Sequence, residues 1–121
     1  MGPIEMHEKP ELLLPLPSAV FHILVALAER DRHGYSIMQD VAARTAGRVR
    51  LSAGTLYSSI RRMVEQGLIE ELAESPDPSS TDDRRRYYRL TRFGRRVAIA
   101  EVSRLNELVR QAEATGLAPG I

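Results

Sequence analysis

Cysteine and tryptophan are absent from this chain of 121 residues, lysine occurs once, at Lys9, and no run of 18 apolar residues is present. Without cysteine there are no disulfides and no thiolate metal sites, which fits a cytoplasmic protein. Without a long apolar run, no helix is expected to span a membrane. The opening MGPIEMHEKPELLLPLP has neither a basic head nor a long apolar core, so no signal peptide is expected. Histidine is sparse as well: His7, His22 and His33 lack metal-ligand spacing, and His22 reads as a partly exposed helix residue. No serine elbow, paired-carboxylate site or phosphate-binding glycine loop appears. The chain is therefore expected to bind rather than catalyse, with no metal and no cofactor.

What is present is arginine, unevenly spread. The net charge is only +1, and arginine supplies 16 of the 17 basic side chains. Five arginines (44, 48, 50, 61, 62) lie between Arg44 and Arg62 with no acid among them. Seven more (84, 85, 86, 89, 92, 95, 96) lie between Arg84 and Arg96, again without an acid. The planar guanidinium suits phosphate and guanine better than an ammonium does. Two acid-free basic blocks point to a polyanion.

The stretch LSAGTLYSSIRRMVEQGLIEE, Leu51 to Glu71, reads as a short helix that Ser52 caps and Gly67 ends. Leu56, Ile60, Met63 and Val64 make its apolar stripe, leaving Thr55, Ser58, Ser59 and Arg62 outward. Small polar groups and arginine on such a face suit a DNA groove. Upstream, residues 1–17 hold prolines and a Leu12-Leu13-Leu14 run, and a loose arm is expected there, unless the leucines tuck against a core or a partner chain. Ser18 is expected to cap a helix to about Arg30, with Val20, Ile23, Leu24 and Leu27 inward. Asp31 to Gly34 reads as a turn, and Tyr35 to Ala46 as a second helix with Ile37, Met38, Val41 and Ala42 inward. Leu68 to Glu74 and Arg86 to Thr91 read as strands, joined by the polar loop SPDPSSTDD. Three helices, then strand, loop and strand, is the order of a winged helix, with that loop as the wing. The fold class expected is mainly α with a small β-hairpin: a winged helix-turn-helix followed by a long C-terminal helix.

That last helix is expected from Thr91 or Arg92 to about Thr115. Ala98, Val102, Leu105, Val109 and Ala112 recur at heptad-like spacing, with Ile99 and Leu108 beside them. A second copy of the chain is the favoured partner for this seam; packing back on the chain's own first helix is the alternative. The division expected is an arm at 1–17, a DNA-binding domain at 18–91, a dimerisation helix at 92–115 and a tail at 116–121.

Four short motifs carry a family resemblance: His33-Gly34-Tyr35, Gly54-Thr55-Leu56-Tyr57, Glu65-Gln66-Gly67-Leu68-Ile69, and Arg85-Arg86-Tyr87-Tyr88-Arg89-Leu90-Thr91 with Gly94. In this order and spacing they resemble the PadR family of bacterial transcriptional regulators, in its compact form with one terminal helix. The resemblance implies a winged-helix DNA-binding domain and homodimerisation through the C-terminal helix. Two departures stand out. Ser58 follows Tyr57 where the family often has proline. Compact members that bind flat drug-like molecules look as if they stack them on a tryptophan, which this chain lacks.

On the DNA face, Tyr35 is expected at a phosphate, or else with its ring in the core and its hydroxyl at the rim. Ser52, Thr55, Ser58, Ser59 and Arg62 would face the major groove, with Arg62 forking onto a guanine. Tyr57 would brace its helix with its hydroxyl reaching the DNA backbone, and Arg61 suits phosphate or base. Arg84, Arg85 and Arg86 suit phosphates or the minor groove, unless Asp82 and Asp83 neutralise them at a solvated strand end. Tyr87 and Tyr88 must take opposite faces of their strand. A small apolar effector could lodge near Ile99, Val102 and Leu105 between paired terminal helices. Double-stranded DNA is thus the expected partner of a homodimer, with repression as the default. The alternative is a winged-helix module that meets an acidic protein surface.

Overall fold

A computed structural model of the chain describes residues 9–73 and 85–117. The expected wing loop, Glu74 and Arg84 lie outside the described residues, as do His7 and the tail beyond Leu117. Helix α1 (Ser18–Glu29) buries Val20, Ile23, Leu24, Ala26 and Leu27 and forms the centre of the core. Ser18 does not cap it. The helix starts one residue earlier in bonding, with the Phe21 N–H donating to the Pro17 carbonyl and Ser18 already in the first turn. His22 is half-buried.

The expected turn at Asp31–Gly34 contains instead a two-residue strand, β1 (Arg32–His33), and helix α2 (Gly34–Arg44) follows at once. Ile37 and Val41 are buried and Met38 and Ala42 half-buried. Helix α2 ends two residues before the expected Ala46, because Ala46 and Gly47 take positive φ (53° and 79°) and reverse the chain. Helix α3 (Ala53–Glu65) begins as expected, with the Ser52 hydroxyl accepting from the Thr55 N–H at 3.1 Å. Leu56, Ile60 and Met63 are buried, but Val64 is 41% exposed. Val64 sits about 100° around the helix from Met63, outside the arc that α1 and the following strand cover. Gly67, at φ 77°, turns the chain out of the helix.

Strands β2 (Ile69–Glu71) and β3 (Tyr87–Leu90) pair antiparallel, Ile69 opposite Leu90 and Glu71 opposite Tyr88. β1 joins the far edge of β3, with Arg32 opposite Tyr88 and His33 opposite Tyr87, giving the order β1-β3-β2. Tyr88 is buried and Tyr87 half-buried, as alternation requires. Helix α4 (Arg92–Ala114) is capped by Thr91, whose hydroxyl accepts from the Gly94 N–H at 2.9 Å and donates to the Gly67 carbonyl at 2.6 Å. One threonine thus ties the ends of α3 and β3 to the start of α4.

The arm is not loose over its described part. Pro10–Leu13 forms a 3-10 turn against α4, and Leu13, Leu14 and Leu16 pack on the core. The Leu16 N–H donates to Glu101 Oε2 at 3.0 Å, and Arg104 holds the same carboxylate at 2.5 and 3.1 Å. Proline content suggested freedom, but apolar burial and this buried carboxylate outweigh it. Hydrogen bonds from Arg104, and then from Leu16, hold the Glu101 carboxyl below its ordinary pKa. A lowered carboxylate pKa contributes stability that is complete above the unfolded value, about 4.3, and is lost as pH falls through the folded value. Wild-type protein should therefore lose more melting temperature between pH 5 and pH 3 than Glu101→Gln does. Equal losses would show that the carboxylate does not hold the arm.

Candidate nucleic-acid interface

The exposed side of α3 carries the residues expected to read bases. Thr55, Ser58, Arg61 and Arg62 are exposed and Ser59 half-buried. Two of the hydroxyls already have local work. Ser52 caps the helix and also donates to Thr55 Oγ1 at 3.1 Å, while Ser58 donates back to the Thr55 carbonyl at 3.2 Å. Arg61 and Arg62 carry no carboxylate partner among the described residues.

Tyr35, at the head of α2, is 58% exposed, so its ring is not in the core. Tyr57 is half-exposed and leans across to the start of α2. A Cβ added at Gly34 would stand 2.6 Å from the Tyr57 hydroxyl oxygen, so glycine there makes room for that oxygen. Beside them, just before β3, Arg85 Nη1 stands 2.9 Å from His33 Nε2, and the His33 ring meets Tyr87 edge-on at 5.3 Å. These side chains from β1, α2, α3 and β3 surround an open recess of about 490 Å³ that, among the described residues, no carboxylate lines. A second recess, of about 340 Å³, lies between α2 and the approach to α3, with Tyr35, Gln39 and Arg50 on its walls.

The two basic blocks are acid-free in sequence but not in space. Arg44 pairs with Asp40 at 2.6 Å and with Glu29 at 2.7 Å, which raises its pKa, the Asp40 hydrogen bond being the largest cause. Arg89 pairs with Asp31 at 3.2 Å, and Arg86 faces Glu71 at 3.6 Å. Asp40 is one turn before Arg44 on the same helix, whereas Glu29, Asp31 and Glu71 come from other segments, so counting within the blocks could not reveal them. Arg44 shares both its carboxylates with Arg32, which is buried and also donates to the Ala26 carbonyl and to Ser36 Oγ. Arg32 therefore fixes the end of α1 against the first turns of α2, and with them the position of Tyr35. Sequence reading missed this residue because it appeared only as part of a turn.

The seam of α4 is mostly uncovered. Val102, Leu105, Leu108 and Val109 are 46%, 36%, 46% and 51% exposed, while Ala98 packs against the core and Ala112 is half-buried. Packing back onto α1 accounts for only the first part of it. There Phe21, Val25, Ala98, Ile99 and Val102 line a recess of about 260 Å³ with Arg95 at its rim. Leu105, expected beside Ile99 and Val102, is not among the residues that line it.

Among the described residues no helix is long and apolar enough to cross a membrane, and no group of three or more acidic or histidine side chains could hold a metal ion. Residues 23–100 match the model of the transcriptional regulator PadR-like family. A Lysinibacillus sphaericus protein called uncharacterized protein X is 34% identical over 89 residues, 74% of this chain and 72% of that one. A transcriptional regulator of Clostridium thermocellum is similar in structure, with a TM-score of 0.67 and 26% identity over 80% of this chain and 87% of that one. A PadR family transcription regulator of Clostridium difficile shares the fold, with a TM-score of 0.68 and 23% identity over 82% and 98% of the two chains.

Proposed function

This chain belongs to the PadR-like family of transcriptional regulators, and we propose that it acts as a homodimeric repressor on a palindrome-like operator. The family consists of DNA-binding regulators and not of enzymes. The observation that carries the finer reading is the division of the surface. The outer face of α3 and the start of β3 expose arginines and hydroxyls, while α4 exposes a row of apolar side chains. In this reading residues 18–91 are the DNA-binding domain and residues 92–115 supply the dimer contact through Ala98, Val102, Leu105, Leu108, Val109 and Ala112. Burying five such side chains in each chain contributes several kcal/mol at about 25 cal/mol per Å². Two α3 helices roughly 34 Å apart then reach successive major grooves, and bound protein blocks polymerase. The acidic-protein alternative draws no support from the family.

Phosphate contacts supply affinity and register, and base contacts supply sequence. Tyr35, Tyr57, Arg61 and the arginines at 84, 85 and 86 take the first role. Thr55, Ser58, Ser59 and Arg62 take the second, with Ser52 at the helix start. Replacing Arg62 with Ala should weaken one operator position selectively, by about 1–3 kcal/mol. Replacing Arg84, Arg85 and Arg86 together should weaken every sequence alike and flatten the salt dependence. Equal loss for both changes on all sequences would remove Arg62 from base reading. An apolar effector against Ile99 and Val102 supplies the input in this reading, by changing how the two α4 helices cross. Such a compound must shift operator affinity, since one that binds both states equally switches nothing.

A further inference from the structure

We propose that Arg32 is a positioning residue for DNA binding: it sets the start of α2 so that Tyr35 meets a backbone phosphate, and it leaves base reading untouched. The proposal rests on the DNA-binding reading above and on the phosphate role given there to Tyr35.

The placement of the guanidinium carries the argument. Arg32 lies in β1, opposite Tyr88 of β3, and its side chain is 5% exposed. A charge taken that far from water needs a full set of partners. Nε donates to the Ala26 carbonyl, in the last turn of α1, at 2.9 Å. Nη1 donates to Ser36 Oγ, in the first turn of α2, at 3.2 Å. Nη2 bridges Glu29 at the end of α1 and Asp40 further along α2, the latter at 3.0 Å. One planar fork thus spans both helices from the edge of the sheet. An apolar side chain of the same volume often stabilises a core as well as a buried ion pair does, so what this cluster supplies is geometry.

That geometry converges on Ser36, which is held twice. Its hydroxyl accepts from Arg32, and its N–H donates to His33 Nδ1 at 3.1 Å. Tyr35 directly precedes it and is 58% exposed, so the backbone it stands on, rather than core packing, directs its ring. Arg44 shares Glu29 and Asp40 with Arg32, and among the described residues the side-chain partners of both arginines lie in α1 and α2, none in α3. Displacing the start of α2 therefore costs the phosphate contact and spares the base contact of Arg62.

Arg32→Lys keeps the charge but not the planar fork, so it cannot reach Ala26, Ser36 and Asp40 together. Affinities are read well below each variant's melting temperature, at about 50 mM salt. The probes are the operator recovered by selection, that operator altered at the position whose preference Arg62→Ala removes, and a random duplex. Tyr35→Phe is expected to weaken binding about tenfold on all three, and Arg32→Lys about as much. Together the two changes should cost little more than either alone. The affinity ratio between the two operators should stay at its wild-type value. Ser36→Ala removes one acceptor and leaves every ion pair; its smaller loss should vanish beside Tyr35→Phe, and it serves if Arg32→Lys does not fold. Additive losses for both variants, wild-type affinity in folded Arg32→Lys, or a changed operator ratio would each overturn the proposal. A Tyr35→Phe protein that binds like wild type would overturn it too, by removing Tyr35 from the phosphate contact. Failure of the wild-type protein to retain any duplex would overturn the DNA reading itself.

Discussion

Operator affinity should fall about a thousandfold or more when salt rises from 50 to 200 mM, if the homodimer neutralises about six to ten phosphates. Each guanidinium that meets a phosphate releases condensed counterions, and the slope of log affinity against log salt counts those contacts. The exposed, carboxylate-free candidates are fewer than the sequence suggested. Arg44 and Arg89 are engaged with Asp40, Glu29 and Asp31, and Arg86 has Glu71 nearby. Arg48, Arg50, Arg61 and Arg62 remain exposed with no carboxylate partner among the described residues, and Arg84 lies outside them. Doubled in a dimer, these four give about eight contacts, inside that range. A slope near one or two would mean that the arginines do not meet a duplex backbone.

The second large effect is structural. Gly94→Ala should destabilise the fold by about 3 kcal/mol or more, since overpacking a site that cannot give costs that much. A Cβ built at Gly94 would stand 2.0 Å from the carbonyl oxygen of Leu68 and 2.9 Å from its carbonyl carbon. The obstacle is backbone, so no side-chain rotation relieves it. That same carbonyl accepts from the Thr91 N–H at 3.1 Å and from its hydroxyl at 3.0 Å. Moving it would undo the junction of α3, β2 and α4 together. The expected drop in melting temperature is on the order of 10–20 °C. A change of only a degree or two would show that α4 starts further from β2 than described.

The elements that local rules govern were legible in the sequence. Ser52 and Gly67 mark helix ends through single-residue capping chemistry, and both mark the ends of α3, whereas the same rule misplaced Ser18, which lies inside the first turn of α1. The alternation at Tyr87-Tyr88 was readable for the same reason. What escaped depends on distant partners. β1 exists only because β3 offers a free edge to Arg32 and His33, and two residues carry no periodic signal. Val64 fits an apolar stripe by spacing, but the width of the covered arc is set by which elements pack on α3. Of the two readings of the arm, the packed one holds over residues 9–17, because Glu101, far along the chain, supplies an anchor that composition does not show.

The candidate site divides along the same line. Residue types and spacing on α3 pointed to base reading, and the arginines before β3 pointed to phosphate. The recess needs four segments brought together, and His33 was passed over because imidazole is not a preferred N-cap and no metal spacing surrounded it. Its cap to Ser36 and its contact with Arg85 appear only in three dimensions.

The most direct test of the central claim is selection of bound sequences from random duplex DNA by the purified protein at low salt. Enrichment of two inverted half-sites with centres about one helical turn apart is the result expected of paired α3 helices. A pool that stays random after repeated rounds, or an enriched site without two-fold symmetry, would contradict the account.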